Sequence, residues 1–349
     1  MKQFDFGIIG CGMIAGIHRK AIEKIEGCRV AAVFDPAPGR AEAFTAESGA
    51  RGYTDLDAFL ADPDIIAVMV ATPSGLHLDG ALAAINAGKH TLVEKPLEIT
   101  VERCDRLIKA ADEKGVTLGG IFHSRYFEVP KLIKKAVEDG RFGVISLADA
   151  QVKWFRSQEY YDSGAWRGTW NLDGGGALMN QSIHAIDLLQ WFMGPVAEVS
   201  GKIATLAHER IEVEDTAVAT LRFANGALGV IEGTTAAYPG FLKRIEICGS
   251  KGSVIMEEES LKAWDFADET EADREIKAAY MGVSDSSGGA ADPGAINYLG
   301  HKMEIANFVD AVRGGQPFAL NGREARKAVE IIEGIYTSSR TGKTVSLPL

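Results

Sequence analysis

The stretch Phe4 to Ala15, FDFGIIGCGMIA, decides the fold of the first part of this chain. Its six leading residues, mostly apolar, predict a buried strand, and a GxGxxA turn joins that strand to a helix-like segment near 13–25. In such a turn Gly10 permits the tight bend, Gly12 lets backbone N–H groups approach a pyrophosphate, and Ala15 allows close packing of helix on strand. The stretch therefore predicts a dinucleotide-binding turn at a helix N-terminus.

The same alternation of strand and helix continues to residue 123. Apolar runs that predict strands lie at 4–9, 29–34, 65–70, 90–93 and 117–121, with helical patterns near 13–25, 38–49, 75–87 and 100–114. Strands that alternate with helices form a parallel sheet covered on both faces. Residues 1–123 are therefore predicted to form an α/β domain, a doubly wound Rossmann sheet.

The carboxyl ends of these strands predict the rest of a cofactor site, because open α/β sheets bind ligands at that edge. Asp35 ends the second strand, where a carboxylate would hold ribose hydroxyls and repel a 2′-phosphate, which favours NAD over NADP. Lys95 follows the fourth strand, in a place suited to proton transfer, although a loop lysine is more often a surface charge. The predicted cofactor residues are Gly10, Gly12, Met13, Ile14, Asp35, Ala71, Thr72, Pro73, His77, Glu94 and Lys95.

From residue 124 the pattern changes, and 124–349 is predicted to be a second α/β domain. Helical patterns lie near 128–139, 301–313 and 322–339, and strands near 144–155, 196–205, 213–223, 227–236, 242–248 and 252–257. Asn225-Gly226 and Ser250-Lys251-Gly252 are hairpin signals. These features predict an open, mainly antiparallel sheet with helices on one face and the other face free to pair with another subunit. Ser284 to Asn297, rich in small and polar residues, is predicted to be a mobile loop.

Three consecutive glycines at 174–176 precede a segment that predicts a mostly apolar helix with one polar stripe. Asn180, His184, Asp187 and Trp191 recur at helical spacing along that stripe. A buried helix with such a stripe either satisfies a polar network or builds a site.

Composition limits what the chain can bind. At 349 residues, two domains are expected. The net charge of −11 and the lack of a basic stripe argue against a nucleic-acid partner, and no apolar run has the length of a membrane span. A start without signal-peptide features and four scattered cysteines predict a cytoplasmic protein. The seven histidines show no ligand spacing that predicts a metal.

Three motifs together resemble the Gfo/Idh/MocA oxidoreductase family, and the likeness extends over nearly the whole chain. They are the nucleotide turn, Glu94-Lys95-Pro96, and the segment from Gly174 through His184 to Asp187. The resemblance implies NAD(P)-dependent oxidation or reduction of a hydroxyl-bearing carbon in a sugar, sugar acid or cyclitol. It also implies a second domain that builds homodimers or homotetramers. In the family the lysine and histidine of these motifs, here Lys95 and His184, act at the reacting carbon.

One position departs from a pattern that many family members share. They carry Asp four residues before the histidine, where this chain has Asn180. An Asp could stabilise an imidazolium, whereas a neutral Asn can only orient the ring or bond a substrate hydroxyl. With the segments 156–162, 166–168 and 211–216, this Asn resembles a branch of UDP-N-acetylglucosamine-uronate 3-dehydrogenases and glycoside 3-dehydrogenases. That likeness implies oxidation at a pyranose C3.

The sequence thus predicts an NAD-dependent dehydrogenase for a secondary hydroxyl, at pyranose C3, of a sugar, glycoside or sugar acid. Three alternatives stay open: a redox glycosidase that uses NAD transiently, a UDP-sugar uronate 3-dehydrogenase, and a silent sugar-binding protein. The predicted substrate residues are Asn180, Asp187, Arg156, Tyr161, Trp166, Arg167, His123 and Arg125. For Asp187 a supporting role is equally open, and so is packing at the domain interface for Trp166.

Overall fold

The computed structural model describes residues 3–282 and 297–349, which form two compact units. The first unit comprises Met1–His123 and Asn297–Arg326, and the second comprises Ser124–Ile296 and Lys327–Leu349. The chain changes unit after His123, where the sequence predicts a boundary, but 297–326 joins the first unit instead of the second. Nearly all of the predicted mobile loop, up to residue 296, lies outside the described residues.

Backbone pairing explains why 297–326 belongs with the first unit. The N–H group of Gly120 donates to the Leu320 carbonyl (3.2 Å), and that of Phe122 donates to the Glu304 carboxylate (3.1 Å). The second pair is 182 residues apart in sequence. Local sequence patterns could not predict so distant a partner.

The first unit contains a parallel sheet, as the sequence predicts, and this sheet has six strands. Its elements before residue 123 are β1 (Phe4–Ile9), α1 (Met13–Glu23), β2 (Cys28–Phe34), α2 (Arg40–Ser48), β3 (Arg51–Tyr53), α3 (Leu56–Leu60), β4 (Ala67–Val70), α4 (His77–Asn86), β5 (His90–Val93), α5 (Val101–Lys114) and β6 (Leu118–Gly120). The strand order is β3-β2-β1-β4-β5-β6. β1 and β4 lie in the middle and are entirely buried, which explains their continuous apolar runs.

The prediction missed β3 and α3, so it gave five strands instead of six. The three residues of β3 are exposed or half-buried and include no apolar run. Edge strands of this length carry little pattern, because neither face needs to be apolar. The missed strand lies at the edge of the sheet, next to β2.

The second unit contains an eight-stranded mixed sheet that is mainly antiparallel. Further along the chain the elements are α6 (Glu128–Glu138), β7 (Ile145–Lys153), α7 (Gln158–Asp162), a π-helical turn (Ala177–Ser182), α8 (Ile183–Met193), β8 (Val196–Ala204), β9 (Thr216–Phe223), β10 (Leu228–Thr234), β11 (Arg244–Gly249), β12 (Gly252–Glu257), β13 (Ser260–Phe266), α9 (Glu271–Tyr280), α10 (Leu299–Gly314), α11 (Gly322–Thr341) and β14 (Val345–Ser346). The strand order is β13-β12-β11-β7-β10-β9-β8-β14, with only β7 and β10 parallel among these pairs. Both predicted hairpins, β9–β10 and β11–β12, are confirmed.

The two faces of this sheet differ, as alternation along β9 shows. Leu221 and Phe223 are buried, whereas Val218 and Arg222 point to the exposed face. The π-helical turn and α8 pack against β10 and β7 on the buried side. The helix that carries the polar stripe is therefore part of the core of this unit.

The prediction also missed α9, whose sequence is dominated by polar residues. Its only buried residue is Asp273, which accepts hydrogen bonds from Trp264 (2.8 Å) and Arg141 (3.0 Å). A helix held by one buried carboxylate shows no apolar stripe. None of the helices that the structure describes is long and apolar enough to cross a membrane.

Candidate active site

The glycine turn between β1 and α1 depends on close backbone packing. Gly10 has a φ of +93°, and a Cβ there would lie 2.9 Å from the carbonyl oxygen of Ala71, on the loop after β4. Any side chain would therefore force the two loops apart. At Gly12, by contrast, an added Cβ would meet nothing within 4 Å. The turn is thus packed on one side and open on the other.

The N-terminus of α1 suits an anion. Gly12 caps the helix without a side-chain hydrogen bond, and the first turn carries no acidic residue. The first N–H groups of a helix lack intrahelical partners, and the helix dipole adds partial positive charge there. On the adjacent loop the buried Thr72 hydroxyl has no hydrogen-bond partner among the described residues. These groups fit the pyrophosphate of a dinucleotide.

Asp35, the acid predicted to hold ribose hydroxyls, lies directly at the glycine turn. Its nearly buried carboxylate accepts hydrogen bonds from the N–H groups of Cys11 (3.0 Å) and Ala37 (2.9 Å). Burial and the charge of Asp35 raise the pKa of the Cys11 thiol to about 12, so that thiol stays neutral. The structure therefore brings together the turn and the acid that the sequence pairs by motif.

His77, which the sequence predicts to line the cofactor cleft, has its ring between two loops. Its ring is buried, with Nδ1 2.8 Å from the Pro96 carbonyl oxygen and Nε2 3.0 Å from the Thr72 carbonyl oxygen. Burial lowers the pKa of His77. A neutral imidazole has one N–H group and can donate to only one of these carbonyl oxygens, so the ring bonds one loop and contacts the other.

Lys95 is half-buried after β5, and Glu94 fixes the backbone on which it stands. One oxygen of Glu94 lies 2.7 Å from Nε2 of His18, and the other accepts the N–H of Lys95 (2.9 Å). Burial alone would raise the pKa of Glu94. The hydrogen bond and charge of His18, with the charges of His301 and Lys95, hold that pKa well below its usual range. Glu94 is thus a buried anion that anchors the lysine.

His18, Glu94 and His301 also form a group whose ligand atoms lie within 4.8 Å of one another, the spacing of a possible metal site. The sequence gives no metal signal here, because the three residues are far apart along the chain. A metal-bound imidazole usually donates its second N–H to an acceptor. Nδ1 of His18 has no such partner among the described residues, and its Nε2 already bonds Glu94. The contacts favour a hydrogen-bonded cluster.

In the second unit, two of the three consecutive glycines make room for groups from distant segments. A Cβ on Gly175 would lie 2.1 Å from the Tyr336 hydroxyl oxygen, and one on Gly176 would lie 1.8 Å from the Glu214 carbonyl oxygen. No side chain fits at either position. The glycine run therefore serves packing, which brings these two residues to the start of the helical segment.

The buried carboxylate of Glu214 fixes the backbone at the start of this helical segment. Its carboxylate accepts hydrogen bonds from the N–H groups of Gly176 (3.0 Å) and Leu178 (2.9 Å) and from the Tyr336 hydroxyl (2.9 Å). Burial raises the pKa of Glu214 to about 7, although these three donors act to lower it. The segment 211–216, marked in the sequence only by resemblance, thus positions the candidate site.

Asn180 and His184 are half-buried in a segment whose other side chains are almost all buried. Asn180 lies in the π-helical turn and His184 in the first turn of α8. Such π turns are rare and occur frequently at functional sites. Asn180 donates from Nδ2 to Oδ1 of Asp173 (2.6 Å), a residue that sequence reasoning missed. Of the four stripe residues Asp187 is buried, whereas these two and Trp191 are half-buried.

Arg125 and Asp187, both predicted to bind substrate, bind each other. Both are buried, and the guanidinium donates two hydrogen bonds to the carboxylate, at 2.6 and 2.8 Å. The Arg125 guanidinium also lies 5.3 Å from the centre of the Trp191 ring. A buried charge needs such a partner, and each of these two residues supplies it for the other.

The loop after β7 places two cations around one phenol. Arg167 donates to the Tyr160 hydroxyl (2.7 Å), and both Arg167 and Arg156 lie over the Tyr160 ring, at 4.3 and 5.4 Å. Nε2 of Gln181 donates to the same hydroxyl (3.3 Å). Trp166 also lies under Arg167, at 4.5 Å. Sequence reasoning missed Tyr160 and Gln181, because neither belongs to a recognisable spacing.

Two other predicted substrate residues make packing contacts. Tyr161 is buried, and its hydroxyl lies 2.8 Å from that of Thr235, while burial raises its pKa. In the first unit the His123 ring stacks on that of His301, with ring centres 4.2 Å apart. Neither contact by itself points to a ligand.

Comparison with known proteins identifies the family and several relatives of this chain. Residues 4–122 match the oxidoreductase family with an NAD-binding Rossmann fold, and residues 131–255 match the GFO/IDH/MocA C-terminal domain. The crystal structure of the WlbA dehydrogenase from Bordetella pertussis in complex with NADH and UDP-GlcNAcA is 37% identical, with a TM-score of 0.91 over 100% of this chain and 99% of that one. Inositol 2-dehydrogenase 2 of Saccharopolyspora erythraea is 31% identical over 72% of this chain and 73% of its own length. Myo-inositol 2-dehydrogenase of Thermotoga maritima is 29% identical over 93% and 92%.

Proposed function

Because the chain belongs to the Gfo/Idh/MocA oxidoreductase family, whose NAD-binding fold it carries, we propose that it oxidises a secondary hydroxyl, at pyranose C3, of a sugar, glycoside or sugar acid. One observation carries the proposal most directly. Lys95 and His184 are each half-buried, and a buried carboxylate fixes the backbone of each segment. Glu94 accepts the N–H of Lys95, and Glu214 accepts those of Gly176 and Leu178, at the start of the helical segment that leads to His184.

The first unit holds the cofactor in this proposal. Gly10, Gly12 and the N-terminus of α1 would bind the pyrophosphate of NAD, and Asp35 would bind the ribose. NAD, when bound, supplies the hydride acceptor. The fit rests on the open space at Gly12 and the uncapped helix N-terminus.

Lys95 and His184 handle the proton of the substrate hydroxyl. Either side chain can accept a proton in its neutral form, and a positioned acid or base contributes roughly 10² to 10⁴ in rate. Lys95 stands on a backbone that Glu94 fixes by its hydrogen bond to the lysine N–H. Asn180 provides the hydrogen-bonding group next to His184, in place of the Asp of many relatives.

A nucleotide-linked uronate is the second candidate substrate. WlbA, the 37% identical protein, was crystallised with UDP-GlcNAcA. In this chain Arg156 and Arg167 surround Tyr160, and guanidinium groups recognise carboxylates and phosphates well. We expect the substrate to carry an anionic group that these cations attract.

We also propose that the exposed face of the sheet in the second unit joins copies of this chain. Leu228 on β10 pairs with Leu147 on β7, and both are exposed, as is Val218 on β9. Exposed apolar patches mark interaction surfaces. In sedimentation experiments we expect a dimer or tetramer that Leu228→Asp weakens; a monomeric wild type would contradict the proposal.

A substrate panel tests the catalytic proposal. Glycosides, uronates, cyclitols and UDP-sugars are incubated with NAD, and both NADH and released aglycone are followed. Stoichiometric NADH without aglycone supports a dehydrogenase, whereas aglycone release without net NADH would establish a redox glycosidase. No reaction with any compound would reject both enzymes.

A further inference from the structure

Asp173 is a buried carboxylate whose two oxygens have different partners. Oδ1 accepts the Nδ2 hydrogen of Asn180 (2.6 Å), and Oδ2 accepts the backbone N–H of Gly168 (2.9 Å). Hydrogen bonds to an ionised acceptor are short and about twice as strong as neutral ones. Asp173 therefore binds the Asn180 amide firmly to the backbone of the preceding loop.

This contact decides which way the Asn180 amide points. A side-chain amide has a donor end and an acceptor end, whereas an ionised carboxylate can only accept. The nitrogen of Asn180 must therefore face Asp173, and its oxygen must face the other way. The orientation follows from chemistry, since the reversed amide would set oxygen against oxygen at 2.6 Å.

Asn180 and His184 lie one helical turn apart, and both are half-buried. The Asn180 backbone N–H donates to the Gly176 carbonyl (2.9 Å), so the residue is held at backbone and side chain. Three tyrosines, Tyr160, Tyr161 and Tyr336, interact electrostatically with Asp173. Arg167 donates to the Tyr160 hydroxyl, and Glu214 accepts from the Tyr336 hydroxyl. Among the described groups in that set, Arg167 is the cation and Glu214 the second carboxylic acid.

We propose that Asp173 is a positioning residue that makes the Asn180 oxygen a polarised hydrogen-bond acceptor beside His184. The proposal rests on the function proposed above. In many relatives a carboxylate stands four residues before the histidine. Here Asn180 stands at that position, and the carboxylate belongs to Asp173, which accepts a hydrogen bond from the Asn180 amide. A buried negative charge behind the amide strengthens its oxygen as an acceptor, because hydrogen bonds in a chain polarise one another. A more negative oxygen one helical turn before His184 favours the protonated imidazole.

Three variants test this role. In Asp173→Asn the amide at position 173 has a single acceptor oxygen but faces two donors. Either the N–H of Gly168 or the side-chain amide of Asn180 therefore loses its acceptor. Asn180→Asp sets two carboxylates against each other. The exchange variant Asp173→Asn/Asn180→Asp restores both hydrogen bonds, because the amide now at position 173 donates to the carboxylate now at position 180 and accepts from the N–H of Gly168. The exchange also moves the negative charge one residue closer to His184.

The readouts are the pH profile of kcat/KM and the unfolding of the second unit, followed by tryptophan fluorescence. All five tryptophans lie in that unit. We expect each single variant to unfold more easily and to lose at least about tenfold in kcat/KM. We expect the exchange variant to regain wild-type stability and to show the acidic limb of its profile about one pH unit higher, since a nearby carboxylate favours the imidazolium.

The proposal expects the acidic limb of Asp173→Asn to move to lower pH, because that variant removes the charge behind the Asn180 amide. A purely structural Asp173 would lower stability in Asp173→Asn but leave that limb at the wild-type pH; that outcome overturns the proposal. Asp273→Asn is the matched control, because Asp273 is equally buried in the same unit but contacts Arg141 and Trp264. It should lower stability without moving the pH profile. A wild type inactive on every panel compound would instead overturn the proposed function.

Discussion

The predicted cofactor site of the first unit, called here the cofactor half, is built differently from the predicted substrate site of the second unit, called the substrate half. Around the glycine turn, neighbouring loops pack backbone against backbone, and the acid Asp35 bonds that turn directly. Around Asn180 and His184, buried carboxylates reach in from other segments, as Asp173 and Glu214 do. A short motif is enough to bind a widespread cofactor, whereas positioning one substrate takes a network of buried polar side chains.

The largest expected effect separates chemistry from cofactor binding. Lys95→Ala and His184→Ala should each reduce kcat roughly 10³-fold, because each removes a proton-transfer group. NAD affinity, measured by calorimetry, should stay near the wild-type value, since the glycine turn and Asp35 are untouched. Lys114→Ala, at an exposed lysine of the first unit, is the control. Near wild-type turnover in both active-site variants would contradict the assignment.

The next effect concerns stability of the second unit alone. Asp187→Ala leaves the buried Arg125 without its carboxylate and should cost about 3–5 kcal/mol in the free energy of unfolding. Tryptophan fluorescence during urea unfolding measures this loss. Asp162→Ala, which breaks the exposed pair with Arg210, should change little. An Asp187 variant as stable as the wild type would show that the pair does not support the core.

Glu214 makes the stability of the same unit depend on pH. Its folded-state pKa is raised to about 7 from the ordinary 4.5, so its contribution is fully present below pH 4.5 and is lost as pH rises through 7. The loss should reach roughly 3 kcal/mol, at about 1.4 kcal/mol per pKa unit. Urea unfolding across this range should show that dependence in the wild type and not in Glu214→Gln. The same pH dependence in both proteins would exclude Glu214 as its source.

The smallest effect concerns the cofactor half. Asp35→Ala should weaken NAD binding about tenfold and narrow its advantage over NADP, because one charged hydrogen-bond acceptor is worth about 1.4 kcal/mol. Titration with both cofactors measures the change. Since Asp35 also accepts the Cys11 N–H, Asp35→Asn is the control that keeps a side-chain acceptor there. An unchanged preference would assign the selectivity to other residues.

The sequence predicted the cofactor half well, because its groups lie in contiguous segments with known spacing. The strands β1 and β5 match the prediction residue for residue. The glycine turn and Asp35 meet as the motif requires. By contrast, the return of 297–326 to the first unit depends on contacts such as Phe122 with Glu304, which no local pattern encodes.

Prediction of the substrate half was limited to the residues that carry a motif. Asn180 and His184 are half-buried members of the stripe, and so is Trp191. Asp187 is on the same stripe, but its partner Arg125 lies 62 residues away and draws it into the core. Asp173 carries no signal except its place before the glycines. Partners in a buried polar network are set by tertiary packing, which spacing does not reveal.

One measurement tests the central claim, that a hydride passes between a pyranose C3 and NAD. The enzyme is incubated with NAD and an accepted sugar or glycoside deuterated at C3, and the NADH formed is analysed by mass spectrometry. We expect deuterium on the nicotinamide C4 of NADH, and unlabelled NADH from the same compound deuterated at C2. Unlabelled NADH from the C3-deuterated compound would contradict it.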